Sequence, residues 1–368
     1  MTARPEAPPP RSRTEKMPVD PVVMVARLVE RAALDGSTCL PASVLAAALR
    51  GVGVDSPGPV AELATDTGRV VAHLEERLFG HPRWSPLEEE LAEHLVELVS
   101  RSGPDALRVV DAPRGSALPG ESEGVVVVPD AHRLGLADAV ELLARLVAGD
   151  HPQRLVLVGD PAMPYAPGPG RVLADVVASG AVRVDRAPPC SAAGDGEEAS
   201  EQTQLAALVE SLRSGVLPAV DPSRHEVVVT PAADPEQAVH RAVQIVTASA
   251  PRAFGLDPAD LLVISPRAAG RAGADALRVA LDSAGAAGVR TATTADAVTD
   301  SAEAVVLVLP AESAGSLTRS MLVGAATQAG RHLSVVHQAG PALAEAVARR
   351  PHPPRRTRLA TLLADALA

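Results

Sequence analysis

The sequence predicts an α/β fold, with two parallel-sheet domains in tandem behind a small, mainly helical N-terminal domain. Short apolar, β-branched runs recur between helical stretches: LRVVDA (107–112), GVVVVPD (124–130), RLVLVGD (154–160) and VRV (182–184). Continuous apolar strands alternating with helices indicate a parallel sheet covered on both faces. A second series follows a Pro/Cys/Gly/acidic stretch at 187–201: HEVVVTP (225–231), DLLVISP (260–266), VRTATT (289–294), AVVLVLP (304–310) and HLSVVHQ (332–338). With 368 residues, 46% of them apolar, the chain has room and material for two or three cores.

Taken in order, residues 1–17 form a polar, Pro-rich leader with nothing to bury, expected to be disordered. From Pro21 a helical pattern runs to Asp35-Gly36, a second helix follows Leu40-Pro41, and a third spans Val60 to Asp66. Gly68 to Phe79 reads as a short strand pair. Three small helices and a two-stranded wing describe a winged-helix-like accessory domain over 18–85. A helix from Pro86, with acids in its first turn, leads into a first sheet domain over 86–200. The second sheet domain covers 201–350, and 351–368 is a basic linker followed by a short helix.

Composition narrows the function. A formal charge of −11 and only 1% aromatic residues disfavour broad non-specific nucleic-acid binding and leave few rings for stacking on bases. Lys16, in the leader, is the single lysine. A phosphate loop of the form G-x-x-x-x-G-K-[ST] is therefore absent, and arginine is a poor substitute for its compact ammonium. Cys39 and Cys190, far apart and with no C-x-x-C spacing, argue for a reducing, cytoplasmic setting and against both zinc and a disulfide framework. No apolar run approaches the length of a membrane span.

Several segments together carry a resemblance. VVVVPDAHRL (125–134) is an apolar strand running into an acid, and LVLVGDPAMPYAPGPGRVLADVVASG (155–180) combines a strand, Gly-Asp-Pro, Gly-containing loop and helix. LAALVESLRSGVLP (205–218), DLLVISP and GAATQAGRHLSVVHQA (324–339) follow in order, and DGSTCLPASVLAAAL (35–49) precedes them. The series resembles the paired RecA-like domains of superfamily 1 DNA helicases, with their UvrD-type C-terminal domain, and the RecD-like branch fits best. The resemblance implies two RecA-like domains, the first truncated. Only about ten residues separate the LRVVDA strand from the next, too few for a P-loop helix.

The same resemblance locates the expected site and shows it eroded. At the Walker B position Pro129 and Asp130 stand for the aspartate and glutamate or, shifted by one residue, Asp130 is the magnesium carboxylate with Ala131 where a base should follow; either way one acid is gone. Gly159, Asp160 and Pro161 keep the third motif, but Ala162 and Met163 replace its glutamine. Glu303 remains from the fifth motif, with Asp300 and Ser301 at its glutamine and glycine positions. Gln328 stands where the last motif has an arginine, a residue that supplies about 10³ to 10⁵ in rate. Arg114 and Gly115 are the remnant of the phosphate loop, Gly168 and Gly170 form a possible anion site before a helix, and Arg186 is a candidate γ-phosphate contact.

Each residue also has a structural reading. Asp130 fits a helix cap or a partner for Arg133, Asp160 a strand-end turn, the glycines of 167–173 a tight loop, and Arg186 a solvated position. Arg349, Arg350, Arg355, Arg356 and Arg358 form the one concentrated basic stretch outside the leader, either a solvated tail or a contact for phosphate or an acidic partner. The resulting expectation is a RecD-like homologue that does not hydrolyse ATP. It would bind single-stranded DNA or a helicase or nuclease partner, and hold no resident cofactor beyond residual Mg·ATP. An ATPase using Arg114, Asp130 and Asp160, and a protein scaffold without nucleic-acid contact, are the alternatives.

Overall fold

The computed structural model describes residues 20–112, 124–149, 151, 153–187, 203–221, 223–296 and 301–367. The leader, Lys16, Arg114, Gly115, Cys190 and Asp300 lie outside the described residues. The N-terminal unit runs α1 (Pro21–Leu34), β1 (Cys39–Pro41), α2 (Ala42–Gly51), α3 (Pro57–Asp66), β2 (Val71–His73) and β3 (Leu78–Gly80). Asp20 caps α1 through the Val22 amide, with Pro21 at the first turn, where its missing N–H costs nothing. The strands pair antiparallel in the order β1-β3-β2, so a strand ahead of α2 joins the expected pair. Val25, Val29, Leu45, Leu49, Ala61, Ala64 and Val70 close this small core.

The long helix α4 (Trp84–Ser102) leads into the first parallel sheet, made of β4 (Leu107–Asp111), β5 (Val125–Val128), β6 (Arg154–Gly159) and β7 (Arg183–Arg186). Its order is β5-β6-β4-β7 and every described pairing is parallel. Helices α5 (Leu136–Val147) and α6 (Val172–Ala178) follow β5 and β6 and, with α4, bury Leu91, Leu95, Leu143 and Val176 against Leu107, Val109, Leu155 and Leu157. Four described strands make this sheet smaller than its neighbour.

The second sheet begins after α7 (Gln204–Arg213) with β8 (Val227–Pro231), α8 (Pro235–Gln244), α9 (Ala250–Phe254), β9 (Leu261–Ser265), α10 (Ala274–Ser283) and β10 (Arg290–Thr293). Next come β11 (Ala302–Leu309), α11 (Arg319–Thr327), β12 (Ala329–His337) and α12 (Pro341–Arg349). Five described strands run parallel in the order β10-β9-β11-β12-β8. The central strands β9 and β11 are buried on both faces, which is why both read as unbroken apolar runs. One face packs on α7 and α11, the other on α8 and α10. With so few rings available, leucine, valine and alanine fill both layers.

The end of the chain leaves the second unit. After Arg349 a non-helical strap crosses the first sheet unit and the N-terminal unit, and α13 (Leu359–Leu367) docks on α4 and α6. Leu359 and Leu363 are buried in the core of the first sheet unit, so that core is completed from the far end of the chain. Among the described residues, no helix is long and apolar enough to cross a membrane.

Candidate functional site

Ligands of open parallel sheets sit outside the carboxyl ends of the strands. In the first sheet, register places Asp111, the last residue of β4, beside Gly159, the last of β6, so Asp111 and Asp160 meet at that edge. The structure fills the place with a guanidinium. Arg213, at the end of α7, sets Nη1 2.7 Å from Asp160 Oδ2 and Nη2 3.5 Å from Asp111 Oδ1. Arg186 Nε lies 3.5 Å from Asp111 Oδ2, its own side chain 84% exposed.

Asp160 is 2% exposed, and its other oxygen accepts the Ala162 amide at 2.8 Å, closing a tight Asx turn at Pro161. Burial raises its pKa, opposed by the Arg213 charge and the Ala162 N–H. Both carboxylate oxygens are thereby engaged, one by a side chain of the second sheet unit.

The segment after Asp160 is consumed by packing. Met163, 4% exposed, belongs to the core of the second sheet unit and lies 3.6 Å from Thr327 Oγ1. A Cβ on Gly324 would come within 2.8 Å of Pro164 Cγ, so α11 rests directly on this loop. The seam between the two sheet units is closed here by side chains. Among the described residues, a shallow depression between the ends of α4 and α5 is lined by Leu98, Arg101, Leu146 and His151.

The other sequence-marked residues do not join Asp160. Asp130 is exposed, with a left-handed φ of 49°, and makes no side-chain cap to the turn at 131–133. Gly159 is needed for close approach: a Cβ there would meet Leu173 Cδ2 at 2.8 Å and the His132 amide nitrogen at 3.0 Å. Glu303 is exposed at the amino end of β11. Gln328 is 1% exposed and donates Nε2 to Gly324 O at 3.2 Å, so it is held within its own helix end. No group of three or more His, Cys, Asp or Glu side chains that could hold a metal occurs among the described residues.

Gly168 and Gly170 face a cation. With φ of 85° and 99°, they turn carbonyls inward, and Gly168 O, Gly170 O and Ala166 O lie 2.9, 2.6 and 2.9 Å from Arg355 Nη1. The loop is an acceptor for a guanidinium. The remaining arginines of that stretch divide: Arg350 donates to Ala314 O and Gly315 O, Arg358 is held by Glu76 and Glu89, while Arg349 and Arg356 stay exposed.

Sequence reasoning missed Arg213, an ordinary last-turn arginine on an amphipathic helix. It also missed a polar cluster under the N-terminal unit. His73 Nε2 lies 2.6 Å from Ser85 Oγ, with Glu89 3.7 Å from Nδ1. The set has the residue types of a nucleophilic triad, yet Ser85 is fully buried, a Cβ on Gly80 would lie 2.4 Å from its Oγ, and Arg358 Nη1 sits 3.3 Å from the same histidine nitrogen. No substrate reaches that hydroxyl, so the cluster is structural.

No protein family and no curated protein matches the chain. Among solved structures, the helicase nonstructural protein 10 of an arterivirus is similar at 17% identity and a TM-score of 0.33, over 73% of this chain and 69% of that one. A likeness of that degree assigns neither a family nor an activity.

Proposed function

We propose that the chain is a RecD-like helicase homologue that no longer hydrolyses ATP and serves DNA repair or recombination as a binding module for a helicase or nuclease partner. The observation that carries this reading is the Arg213–Asp160 pair. An internal cation neutralises the best-preserved motif carboxylate from across the seam, at the strand edge where a magnesium-bound phosphate would be needed. The replacement of the arginine position by buried Gln328 agrees with it.

A protein partner is favoured over single-stranded DNA. Three of the five clustered arginines are spent on internal acceptors, and the overall charge is −11. The order α1-β1-α2-α3-β2-β3 supports reading the N-terminal unit as winged-helix-like. Its third helix carries Glu62 and Asp66 and no cation, a poor face for a phosphate backbone.

Calorimetric titration with Mg·ATP, with and without a single-stranded oligonucleotide, tests the reading. No heat in either condition is the expected result. Micromolar binding of Mg·ATP that Asp160→Ala abolishes would overturn it in favour of an active nucleotide site. Salt-dependent oligonucleotide binding alone would replace the protein partner with DNA.

A further inference from the structure

We propose that the loop 165–170 is a guanidinium-binding site filled in cis by Arg355, and that this occupancy is the lock holding the three structural units in one arrangement. The first sheet unit and the N-terminal unit line the site, and the strap that supplies Arg355 comes from the second sheet unit. Three carbonyls of the first sheet unit surround Nη1 of Arg355 at 2.6 to 2.9 Å. The Tyr165 ring lies under the guanidinium, 5.2 Å from its centroid, and His352 stacks on the same ring at 4.3 Å and 13°. The wall opposite is Gly36 of the N-terminal unit, where a Cβ would fall 2.3 Å from Arg355 Nε. Gly36 O in turn accepts the Gly170 amide at 3.0 Å, so the wall and the loop are bonded to each other.

The chemistry selects a planar, delocalised cation. The three carbonyls converge on Nη1 and share its two N–H groups, and the ring face favours a planar, weakly hydrated cation over a compact ammonium. Burial disfavours the charged form of Arg355, a cost that the carbonyl cage and the ring offset. His352 is held neutral, its pKa lowered to about 4 chiefly by burial, which keeps a second positive charge out of the stack.

The position of Arg355 in the chain makes it a lock. Upstream, the strap is bonded to the second sheet unit, where the Arg319 amide donates to Arg350 O at 2.7 Å and the Ser320 amide to Pro351 O at 3.0 Å. Downstream, it is bonded to the N-terminal unit, where Thr38 N donates to Arg356 O at 2.9 Å and Arg356 N to Ser37 Oγ at 3.1 Å. It then reaches the first sheet unit, where Thr357 Oγ1 donates to Asp175 Oδ1 at 3.0 Å. Arg355 sits between these anchor points. This inference does not depend on whether the chain binds nucleotide.

The test is chemical rescue in the full chain. Arg355→Ala is expected to lower Tm and to raise protease sensitivity in the strap, and millimolar methylguanidinium is expected to restore both while methylammonium at the same concentration does not. Arg355→Lys is expected to behave like Arg355→Ala. If Arg355→Ala fails to fold, Tyr165→Ala, which keeps the three carbonyls, supplies the readout: strap protease sensitivity rises with the rest of the chain unchanged. An unchanged Tm in Arg355→Ala, full function of Arg355→Lys, or equal rescue by methylammonium would each overturn the proposal.

Discussion

Arg213 and Asp160 form a nearly buried ion pair at 2.7 Å that joins the end of α7, packed in the second sheet unit, to the end of β6 in the first. Their side chains are 14% and 3% exposed. A pair so placed ties the two units together as well as neutralising the acid, because it joins a side chain of one to a side chain of the other.

The first prediction concerns that pair. Breaking a buried pair from one side leaves an uncompensated charge and costs about 3–5 kcal/mol. Arg213→Ala is therefore expected to lower the unfolding free energy obtained from urea titration by that order. Asp160→Asn combined with Arg213→Ala should recover a large part, since the buried carboxylate that Arg213→Ala leaves unpaired is then gone and Asp111 keeps Arg186. If the double variant loses the sum of the single losses, the two residues act independently and the interdomain role is wrong.

The second prediction is a pH dependence. Burial lifts Glu88 from 4.5 to about 7, against hydrogen bonds from Thr38 Oγ1 at 2.6 Å and the Arg358 amide, and lifts Asp175 from 3.8 to about 6 against Arg171 and Thr357. Both carboxyls bind their protons more tightly folded than unfolded. Their contribution is thus fully present below the unfolded values near 4 and is lost as pH rises through 6 and 7. At about 1.4 kcal/mol per pKa unit, Glu88 alone accounts for about 3 kcal/mol between about pH 4 and 8. Unfolding followed across that range should show wild type losing stability and Glu88→Gln losing distinctly less. Parallel curves for the two proteins would show that Glu88 does not carry the dependence.

The strands were legible because central parallel strands are apolar on both faces: DLLVISP and AVVLVLP became β9 and β11. The end of β12 was legible too, but its first residues, Ala329 to Arg331, are the least buried of the strand and lacked the apolar signal. The seam was not legible, because its contacts join residues far apart in sequence, such as Gly36, Gly170 and Arg355, and no local periodicity reports them. Position alone made the tail arginines look like one patch. In space, neighbours such as Arg355, Arg356 and Arg358 meet carbonyls, solvent and carboxylates respectively. The glycines after Pro167 fit an anion loop or a tight strand-to-helix loop equally well in sequence; in space their carbonyls, with that of Ala166, face Arg355.

The third prediction tests the wall of the Arg355 site without touching the arginine. Gly36 has a φ of 94°, which costs a non-glycine residue about 1–2 kcal/mol, and its missing Cβ is the space that Arg355 Nε occupies. Gly36→Ala should lose more than that backbone cost, because the guanidinium must also shift from its three carbonyls. In the Arg355→Ala background the steric part disappears, and Gly36→Ala should there cost only the backbone part. Thermal unfolding of the two singles and the double resolves the parts, and a purely additive double would remove the contact as the cause.

The fourth prediction concerns α13. Leu363 is fully buried among α4 and α6, in a core whose members outside α13 lie more than 180 residues earlier in sequence. Truncating a buried leucine costs about 2–5 kcal/mol, rising with the cavity left behind. Leu363→Ala should therefore destabilise the first sheet unit, whereas a comparable substitution in a free tail would be silent. Amide exchange distinguishes the two: faster exchange in α4 and α6 is expected, with β9 and β11 of the second sheet retaining their protection. Acceleration confined to residues 359–367 would mean that α13 covers the core without completing it.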